Sequence, residues 1–508
     1  MRFPAINRFA LFSLVVLALA ALAGVAWLSK PVTVAAGAQP STLRTATIST
    51  GLRACAAPGS PGQRDSVAVL AATAAKPGPG KTVISRLAGA TSTPGSGSGS
   101  SGSGPGASNP PASPPLTTLS TPGALSVTSV PIAPSGQPGG VMIQASGAMA
   151  QGLEAEQTTS DGDVTASCGS PATDYWFTGP GQASAGTIEL YLMNVDSQAS
   201  DVEVDISTDA GPLQTSSDTG ISVPPHSEVV QSLAGLVRGS RALSLHVRTS
   251  VGRVIAAVRE STKTSDQGQW LPAGLPPASR LVIPGMPSVK GDRTLLLAAP
   301  GSGDATVKMT VVTPNGSYQP TGGGAISVPA GSATRVELPS LSGVTGAAML
   351  TSSVPVTAAL QVSGGQPGAP GAFATGAHVL QEQGVVADAG QSSGTSTLVL
   401  SAPAGTARVR LVSGGTGLSS TASSNAQVVQ IPAKHSVTVQ LSAPSGASKK
   451  SPFAVVATPL PGSGPVYAGR VLAGPGAGGA VLGIVPVASA LTWAPLPPVH
   501  DSLLTVAP

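Results

Sequence analysis

Short segments in which apolar and polar residues alternate recur along the chain. They include VEVDI at residues 202–206, VKMTV at residues 307–311 and RVRLV at residues 408–412. Alternation with a period of two places one set of side chains on a core and the other in water, which is typical of a half-buried β-strand. A turn-forming sequence, rich in Gly or Pro, follows each segment. The pattern therefore predicts short strands joined by tight turns.

The same landmarks return in the same order about every 100 residues. Apolar stretches begin at Thr187, Thr294 and Thr397, and each leads into one of the alternating segments. A proline-containing corner follows at residues 223–227, 328–332 and 431–436. Proline is tolerated at strand ends and edges, so each corner is expected to join two strands. Repeated units of this length, with many short strands, indicate two-layered sandwiches.

From this repetition we predict an all-β fold made of tandem immunoglobulin-like (Ig-like) β-sandwich modules after one amino-terminal transmembrane helix. Three modules are expected at residues 171–283, 284–390 and 391–490. Residues 51–170 are expected to be a diverged first module, and residues 491–508 a Pro-rich tail. Residues 90–123 are almost wholly Gly, Ser, Pro, Thr and Ala. Because this composition buries little apolar surface, we expect a disordered insertion there.

The amino terminus carries an uncharged apolar run at residues 9–28, long enough to cross a bilayer as a helix. Arg2 and Arg8 precede it, so residues 1–8 are expected to be a cytoplasmic stub. Residues 31–50 would then be a tether, and the carboxyl-terminal bulk would be extracellular on a single-pass cell-membrane protein. The alternative is a cleaved signal peptide, with Ala36-Gly37-Ala38 as its cleavage site. Both readings predict export.

Composition narrows the function classes. Only 9% of the residues are charged and the net charge is +4, with no dense basic run, so no nucleic-acid partner is expected. The 64 glycines and 48 prolines disfavour long helices. The two cysteines, Cys55 and Cys168, are expected to form a disulfide in an oxidising compartment. Two free buried thiols are the alternative.

Motifs that carry chemistry are weak in this chain. Residues 390–394 (GQSSG) match the nucleophile-elbow pattern but lead into a strand rather than a helix. Residues 474–479 (GPGAGG) match the dinucleotide pattern without a following helix. The five histidines have no metal-ligand spacing, and residues 161–163 (DGD) offer too few oxygen ligands for calcium. We therefore expect no catalytic residue, no metal site and no cofactor.

The aromatic run Tyr175, Trp176 and Phe177 is unusual in a chain with 3% aromatic residues. Planar aromatic side chains stack on sugars or anchor protein interfaces, so these three are the candidate binding residues. The alternative is that they fill the junction between the first and second modules.

Together with ASC at residues 166–168, WLPA at 270–273 and VIPG at 282–285, this aromatic string resembles a family of actinobacterial exported, membrane-anchored proteins catalogued only as a domain of unknown function. The resemblance implies an exported β-rich protein and supplies no reaction. We expect a non-enzymatic cell-envelope protein that binds or scaffolds an envelope glycan or another exported protein. The alternative is an envelope enzyme that acts on cell-wall glycan at a site between modules, with lone carboxylates such as Glu189, Asp205 and Asp304 as candidates.

Overall fold

The structure is a computed structural model and is all-β. It describes residues 16–17, 19–20, 45–57, 65–71, 78–90, 114–130, 139–159, 164–183, 186–213, 220–233, 235–262, 265–363, 371–390, 394–415, 426–445, 451–474 and 481–496. Residues Thr47–Ala494 form one compact unit, and Met1–Ala46 with Pro495–Pro508 form a second unit.

Residues 16, 17, 19 and 20 are helical, and the rest of the expected membrane segment lies outside the described residues. No helix within the described part of the chain is long and apolar enough to cross a membrane.

The larger unit contains four successive groups of strands, which we call copies 1 to 4. Copy 1 comprises β2 (Thr50–Cys55), β3 (Asp65–Ala71), β4 (Gly80–Arg86), β6 (Thr117–Leu119), β7 (Ser126–Val130), β8 (Val141–Gly147), β9 (Leu153–Thr159) and β10 (Val164–Ser167). Copy 2 comprises β11 (Asp174–Pro180), β12 (Thr187–Asn194), β13 (Ser200–Thr208), β14 (Gly211–Pro212), β15 (Ile221–Val223), β16 (Ser227–Ser232), β17 (Ala242–Val251), β18 (Ile255–Thr262) and β19 (Ser265–Leu271). Copy 3 comprises β20 (Ala278–Met286), β21 (Arg293–Ala298), β22 (Ala305–Thr313), β23 (Gly316–Tyr318), β24 (Ile326–Val328), β25 (Ala333–Glu337), β26 (Gly346–Val362) and β27 (Ala372–Thr375). Copy 4 comprises β28 (Gly384–Val386), β29 (Thr395–Ala402), β30 (Ala407–Gly415), β31 (Ala426–Ile431), β32 (His435–Gln440), β33 (Phe453–Pro459), β34 (Tyr467–Ala473) and β35 (Val481–Pro486). The remaining elements are β1 (Thr45–Thr47), β5 (Ala88–Ala90), β36 (Trp493–Pro495) and two 3-10 helices at Ala148–Ala150 and Pro339–Leu341.

Each copy has the same antiparallel pairing pattern, so the repeat in the sequence is a repeat in topology. If the main strands of a copy are lettered a to g in chain order, strand e pairs with a and c, and short edge strands extend the sheet beyond c. Strand b pairs with d and f, and f pairs with g. The two layers are therefore an a–e–c sheet and a d–b–f–g sheet.

This strand order is not the immunoglobulin order. In immunoglobulin domains strands A, B, E and D form one sheet and C, F and G the other. Here strand b does not pair with a or e; it pairs with d and f. The prediction of an all-β fold is confirmed and agrees with a β-sandwich, whereas the pairing differs from the expected Ig-like arrangement.

Copy 3 departs from the pattern in one respect. Its strands e and f are a single strand, β26, whose first part pairs with β20 and β22 and whose last part pairs with β21 and β27. One strand therefore passes from the first sheet to the second. Strand β20 in the same copy runs through residues 283–284, where the sequence suggested a module boundary.

The central b strands are apolar on both faces. In β21, Leu295 and Leu297 belong to the core of copy 3, while Leu296 and Ala298 belong to the core cluster of copy 2. The b strands of the other copies divide their side chains in the same way, between the core of their own copy and a contact with the preceding copy in the cycle described below. A strand buried on both sides reads as a continuous apolar run rather than an alternation.

These outward-facing side chains join the copies head to tail. The a–e–c sheet of each copy packs on the d–b–f–g sheet of the next, and copy 4 packs in the same sense on copy 1. Representative contacting side chains are Ala54 and Met142 with Tyr191 and Met193 (copies 1 and 2), Thr178 with Thr357 (copies 2 and 3), Ile283 with Val399 and Val471 (copies 3 and 4), and Val385 and Val456 with Ala68 and Leu70 (copies 4 and 1). The four contacts form a closed cycle within the unit Thr47–Ala494.

The contact that closes the cycle contains a buried ion pair. Arg470 Nη1 of copy 4 lies 2.8 Å from Glu156 Oε2 of copy 1, and their side chains are 1% and 5% exposed. The same carboxylate oxygen accepts the Asp388 backbone N–H at 2.9 Å. Arg470 Nε donates to Ser396 Oγ at 3.0 Å, and Thr158 Oγ1 donates to Asp388 Oδ2 at 2.8 Å. Copy 1 and copy 4 are therefore joined by polar contacts as well as by apolar packing.

The predicted disulfide between Cys55 and Cys168 is present, with a Cα–Cα distance of 4.5 Å. It joins the end of strand β2 to the residue after strand β10, so it closes copy 1 upon itself. Most of the expected insertion, residues 91–113, lies outside the described residues. Strand β6 lies near its carboxyl end and pairs with β4.

Candidate functional site

A cavity in the described part of the chain, which we call the central cavity, lies between copies 1, 2 and 4 and the segments that flank copy 3. Its volume is about 630 Å³. Copy 1 contributes residues of β2, β9 and β10, and copy 2 contributes residues of β11, β12, β18 and β19. The rest of the wall comes from residues 272–275, from residues 376–381, which link copies 3 and 4, from strand β28 and from residues 484–491. Cavities of this size hold small organic ligands.

A second cavity of about 340 Å³ lies on copy 4 beside Arg408 and Gln430 and uses residues of that copy alone. The first cavity is the stronger candidate because its wall exists only when the copies have assembled.

Most of the central cavity wall is apolar. The buried apolar side chains that line it are Phe177, Met193, Trp270, Leu271, Val385, Ile484, Val485 and Val487. The exposed lining residues form a rim, which consists of Ser167, Ser170, Ala273, His378, Gln381 and Ala488. The cavity therefore has apolar walls and a largely uncharged, hydroxyl- and amide-bearing rim.

The first charged pair in the wall, Arg53 and Glu154, is internally compensated. Arg53 Nη2 donates to Glu154 Oε1 at 2.9 Å and to the Leu153 carbonyl at 2.9 Å, and Arg53 Nη1 donates to the Leu52 carbonyl at 3.1 Å. Burial alone lowers the pKa of Arg53, but the Glu154 carboxylate outweighs it, so the pKa is raised.

Glu156, the second carboxylate in the wall, pairs with Arg470 in the closing contact. Burial raises the pKa of Glu156, and the Arg470 charge and the backbone N–H donors oppose that rise. Each charge in the wall therefore already has a partner of opposite sign within the protein.

Tyr175 and Gln157 are two uncharged polar residues of the wall. Burial raises the pKa of the Tyr175 phenol, whose hydroxyl donates to the Ser170 carbonyl. The Gln157 side chain is 2% exposed, and its Oε1 has no hydrogen-bond donor among the described residues.

The structure divides the aromatic run between two faces of β11. Tyr175 lines the cavity and Phe177, also in the wall, is 1% exposed; their rings stack at 6.2 Å. Trp176 points to the opposite face, where it stacks on His246 with ring centroids 3.9 Å apart. His246 Nε2 also lies 2.8 Å from Asp174 Oδ2. The three adjacent residues therefore do not form one binding surface.

The other residues considered from the sequence do not converge. Glu189 lies on β12 and accepts from the Tyr191 hydroxyl, Asp205 lies on β13 beside Arg248, and Asp304 accepts the Ala330 N–H. Residues 391–393, 475–479 and 161–163, parts of the three weak motifs, lie outside the described residues. In the described ranges no group of three His, Cys, Asp or Glu side chains is arranged to hold a metal ion.

The sequence alone did not identify Glu154, Glu156 and Arg53 as residues of the site. The alternation of β9 places Glu154 and Glu156 on the same face of the strand, which the spacing of two could have suggested. Nothing in the sequence shows that Arg470, more than 300 residues later, approaches Glu156.

Three further carboxyl groups in copies 1 and 2 are buried with raised pKa values. Glu228 accepts the Ala57 and Gly140 N–H groups at 2.9 and 2.7 Å, and burial raises its pKa to about 7. Burial also raises the pKa of Asp65 to about 7, although the Arg259 charge opposes it, and that of Glu260 to about 8. Glu228 belongs to copy 2 and both of its donors to copy 1, so it fastens the first contact between copies.

Comparison with known proteins identifies a family but no activity. The family of unknown function DUF5719 matches residues 126–444. This match confirms the resemblance to a family that is catalogued only as a domain of unknown function. That range includes Glu154, Tyr175 and Trp270 of the cavity wall but not Arg53 or Ile484. No curated protein matches the chain.

One solved structure, Streptomyces avermitilis alpha-L-rhamnosidase complexed with L-rhamnose, is 11% identical over 82% of this chain and 55% of that chain, with a TM-score of 0.11. This chain spans about half the length of that enzyme. A likeness this low carries no argument about function.

Proposed function

Because the chain belongs to the family of unknown function DUF5719, which names no reaction, we propose a function from the site itself: a non-enzymatic binding protein of the cell envelope whose ligand occupies the central cavity. The observation that supports it is that one cavity of about 630 Å³ takes its wall from copies 1, 2 and 4 and from the segments that flank copy 3. Ligand sites commonly form between packed domains, with mainly apolar walls and a few polar groups.

A binding role fits the chemistry of the wall better than catalysis does. A general acid or base must be free to exchange a proton with the substrate. Both oxygens of Glu154 accept hydrogen bonds from Arg53, at 2.9 and 3.4 Å, and Glu156 is bound by Arg470 and a backbone N–H. These carboxylates are therefore occupied in holding the fold.

We place the protein at the cell membrane, as a single-pass protein with residues 31–508 outside the cell. The apolar run at residues 9–28, the preceding arginines and the disulfide support this location. The tandem arrangement of modules predicted from the sequence is supported by the fourfold recurrence of one pairing pattern.

The alternative function is an envelope enzyme that acts on cell-wall glycan between modules. The observation in its favour is the pair Glu154 and Glu156 in the cavity wall, since glycoside hydrolysis uses two carboxyl groups. Glu154→Gln tests it: the enzyme predicts loss of glycan cleavage by purified protein, whereas a binding protein shows no cleavage in either form.

The binding proposal is tested by native mass spectrometry of the full chain, extracted from membranes with a styrene–maleic polymer so that no detergent competes. The wild type is expected to retain a bound small molecule. Ala273→Trp, at the exposed rim of the cavity, should lose it, and Ala210→Trp, on an exposed turn of copy 2, should keep it. Absence of a bound mass in the wild type, or equal recovery by both variants, contradicts the proposal.

An accompanying pull-down from envelope fractions tests the other partner class, an exported protein held at Trp176. Trp176→Ala should recover the same proteins as the wild type, because the Trp176 ring is already stacked on His246. Loss of a specific partner would move the binding site to that surface.

A further inference from the structure

The walls of the central cavity favour an aliphatic ligand body. Phe177, Met193, Leu271 and Ile484, which line the cavity, are apolar and each less than 5% exposed. Burying apolar ligand surface against such a wall is favourable in proportion to the area removed from water. A sugar ring would instead bring several hydroxyl groups into a region with few partners, which costs free energy.

The charges of the wall exclude a charged ligand group. Arg53 is neutralised by Glu154, and Glu156 is neutralised by Arg470. An additional charge inside the cavity would have no counter-ion unless it broke one of these pairs, and an unpaired buried charge is costly. His378 lies at the exposed rim, where water screens its interaction with any charge.

Uncharged polar groups mark where a ligand head would bind. Ser167, Ser170 and Gln381 line the cavity and are exposed, so their hydroxyl and amide groups lie at the rim. Hydroxyl groups both donate and accept hydrogen bonds, so a hydroxyl-bearing head suits this mixture of amide, hydroxyl and carbonyl partners.

Resting on the proposed binding function, we infer that the cavity ligand is an uncharged amphiphile: one aliphatic chain against the apolar wall, with a hydroxyl-bearing head at the rim. The disulfide between Cys55 and Cys168 and the contacts between copies hold this wall in place before the ligand binds. A preformed site avoids the entropy cost of ordering it on binding.

The test is photo-crosslinking of the full chain in lipid nanodiscs. The probe is a decyl glycerol ether with a diazirine at the chain end, and its matched twins carry a carboxylate or a trimethylammonium head on the same chain. Adducts are mapped by tryptic digestion. Residues 264–280, between two trypsin sites, carry Trp270, Leu271 and Leu275, and residues 471–508 carry Ile484 and Val485.

The glycerol probe is expected to label these two peptides at least about tenfold more than either charged twin, which corresponds to about 1.4 kcal/mol. Ala273→Trp should block the entrance and reduce labelling to the level of the twins, and the exposed control Ala210→Trp should not. Ala257→Phe, which fills the cavity from β18, should have the same effect as Ala273→Trp. Unchanged urea midpoints for the rim variant and the control establish that the folds are intact.

Equal labelling by the charged twins would contradict the inference that the ligand is uncharged, although the cavity would still be a binding site. Absence of glycerol-probe labelling, or labelling of other segments of this chain in place of these two peptides, would also overturn it. The native mass measurement is independent of the probes. A bound mass that disappears in Ala273→Trp therefore keeps the proposed function even when the amphiphile fails.

Discussion

The contact between copies 4 and 1 can be tested directly by mutating the ion pair between Glu156 and Arg470. Arg470→Met keeps much of the side-chain volume but leaves the Glu156 carboxylate without a cation. Because both side chains are at least 95% buried, the remaining charge has no water to compensate it. Removing one partner of a buried pair costs about 3–5 kcal/mol. We expect a loss of that size, and a larger loss at high pH, because only ionised Glu156 needs the partner.

The exposed pair Arg248–Glu203 is the matched control. Its atoms are also 2.8 Å apart, but its side chains are 51% and 45% exposed. Surface pairs contribute less than about 1 kcal/mol, so Arg248→Met should leave stability nearly unchanged. The two single variants therefore differ in burial and not in bond length.

The double variant Glu156→Gln with Arg470→Met replaces the pair by two neutral side chains of similar size. It should regain most of the stability lost by either single variant, because neither charge is then left unpaired. The measurement is urea unfolding of the full chain in nanodiscs, followed by limited proteolysis. Equal losses for Arg470→Met and Arg248→Met, or a double variant as unstable as both single losses added, would refute the buried contact between copies 4 and 1.

Three further outcomes are expected. The free energy of unfolding should fall as the pH rises from about 4.5 through 7, by about 3 kcal/mol from Glu228 alone. The reason is that the pKa of Glu228 in the folded protein lies above its ordinary value, so the protonated form favours folding. Glu228→Gln should remove that part of the pH dependence in urea titrations at several pH values. Gly469→Ala should destabilise by more than about 2 kcal/mol in the same assay, because its Cβ would lie 2.6 Å from the Gly285 Cα of copy 3, whereas Gly301→Ala has no atom within 4 Å and should be tolerated. Cys55→Ser should cost about 4–5 kcal/mol under oxidising conditions and nothing extra under reducing ones, since the bond closes a loop with a sequence separation of 113 residues.

The sequence predicted the repeated units because the strand-and-turn pattern is local. The stretches at Thr187, Thr294 and Thr397 are the b strands β12, β21 and β29, and each alternating segment lies in the following c strand. The cysteine pair could be predicted because only one pairing of two cysteines exists within the chain.

The strand order and the cyclic packing of the copies could not be predicted from local sequence patterns. Residues 294–297 (TLLL) show that β21 is apolar on both faces, but not which copy covers the outer face. Pairing of b with d and f rather than with e is a long-range choice that short periodicities do not encode. The cavity depends on both, so Tyr175 could be selected as an unusual aromatic but not placed beside β35.

The head-to-tail contacts between copies also fix their number. Each copy has two contact surfaces, the outer face of its a–e–c sheet and the outer face of its d–b–f–g sheet. Because copy 4 packs on copy 1, both surfaces of every copy are covered by a neighbouring copy. Contacts of this kind produce rings when the rotation closes and filaments when it does not. A single copy expressed alone would keep two bare complementary surfaces and is expected to self-associate, with four chains as the natural stopping point.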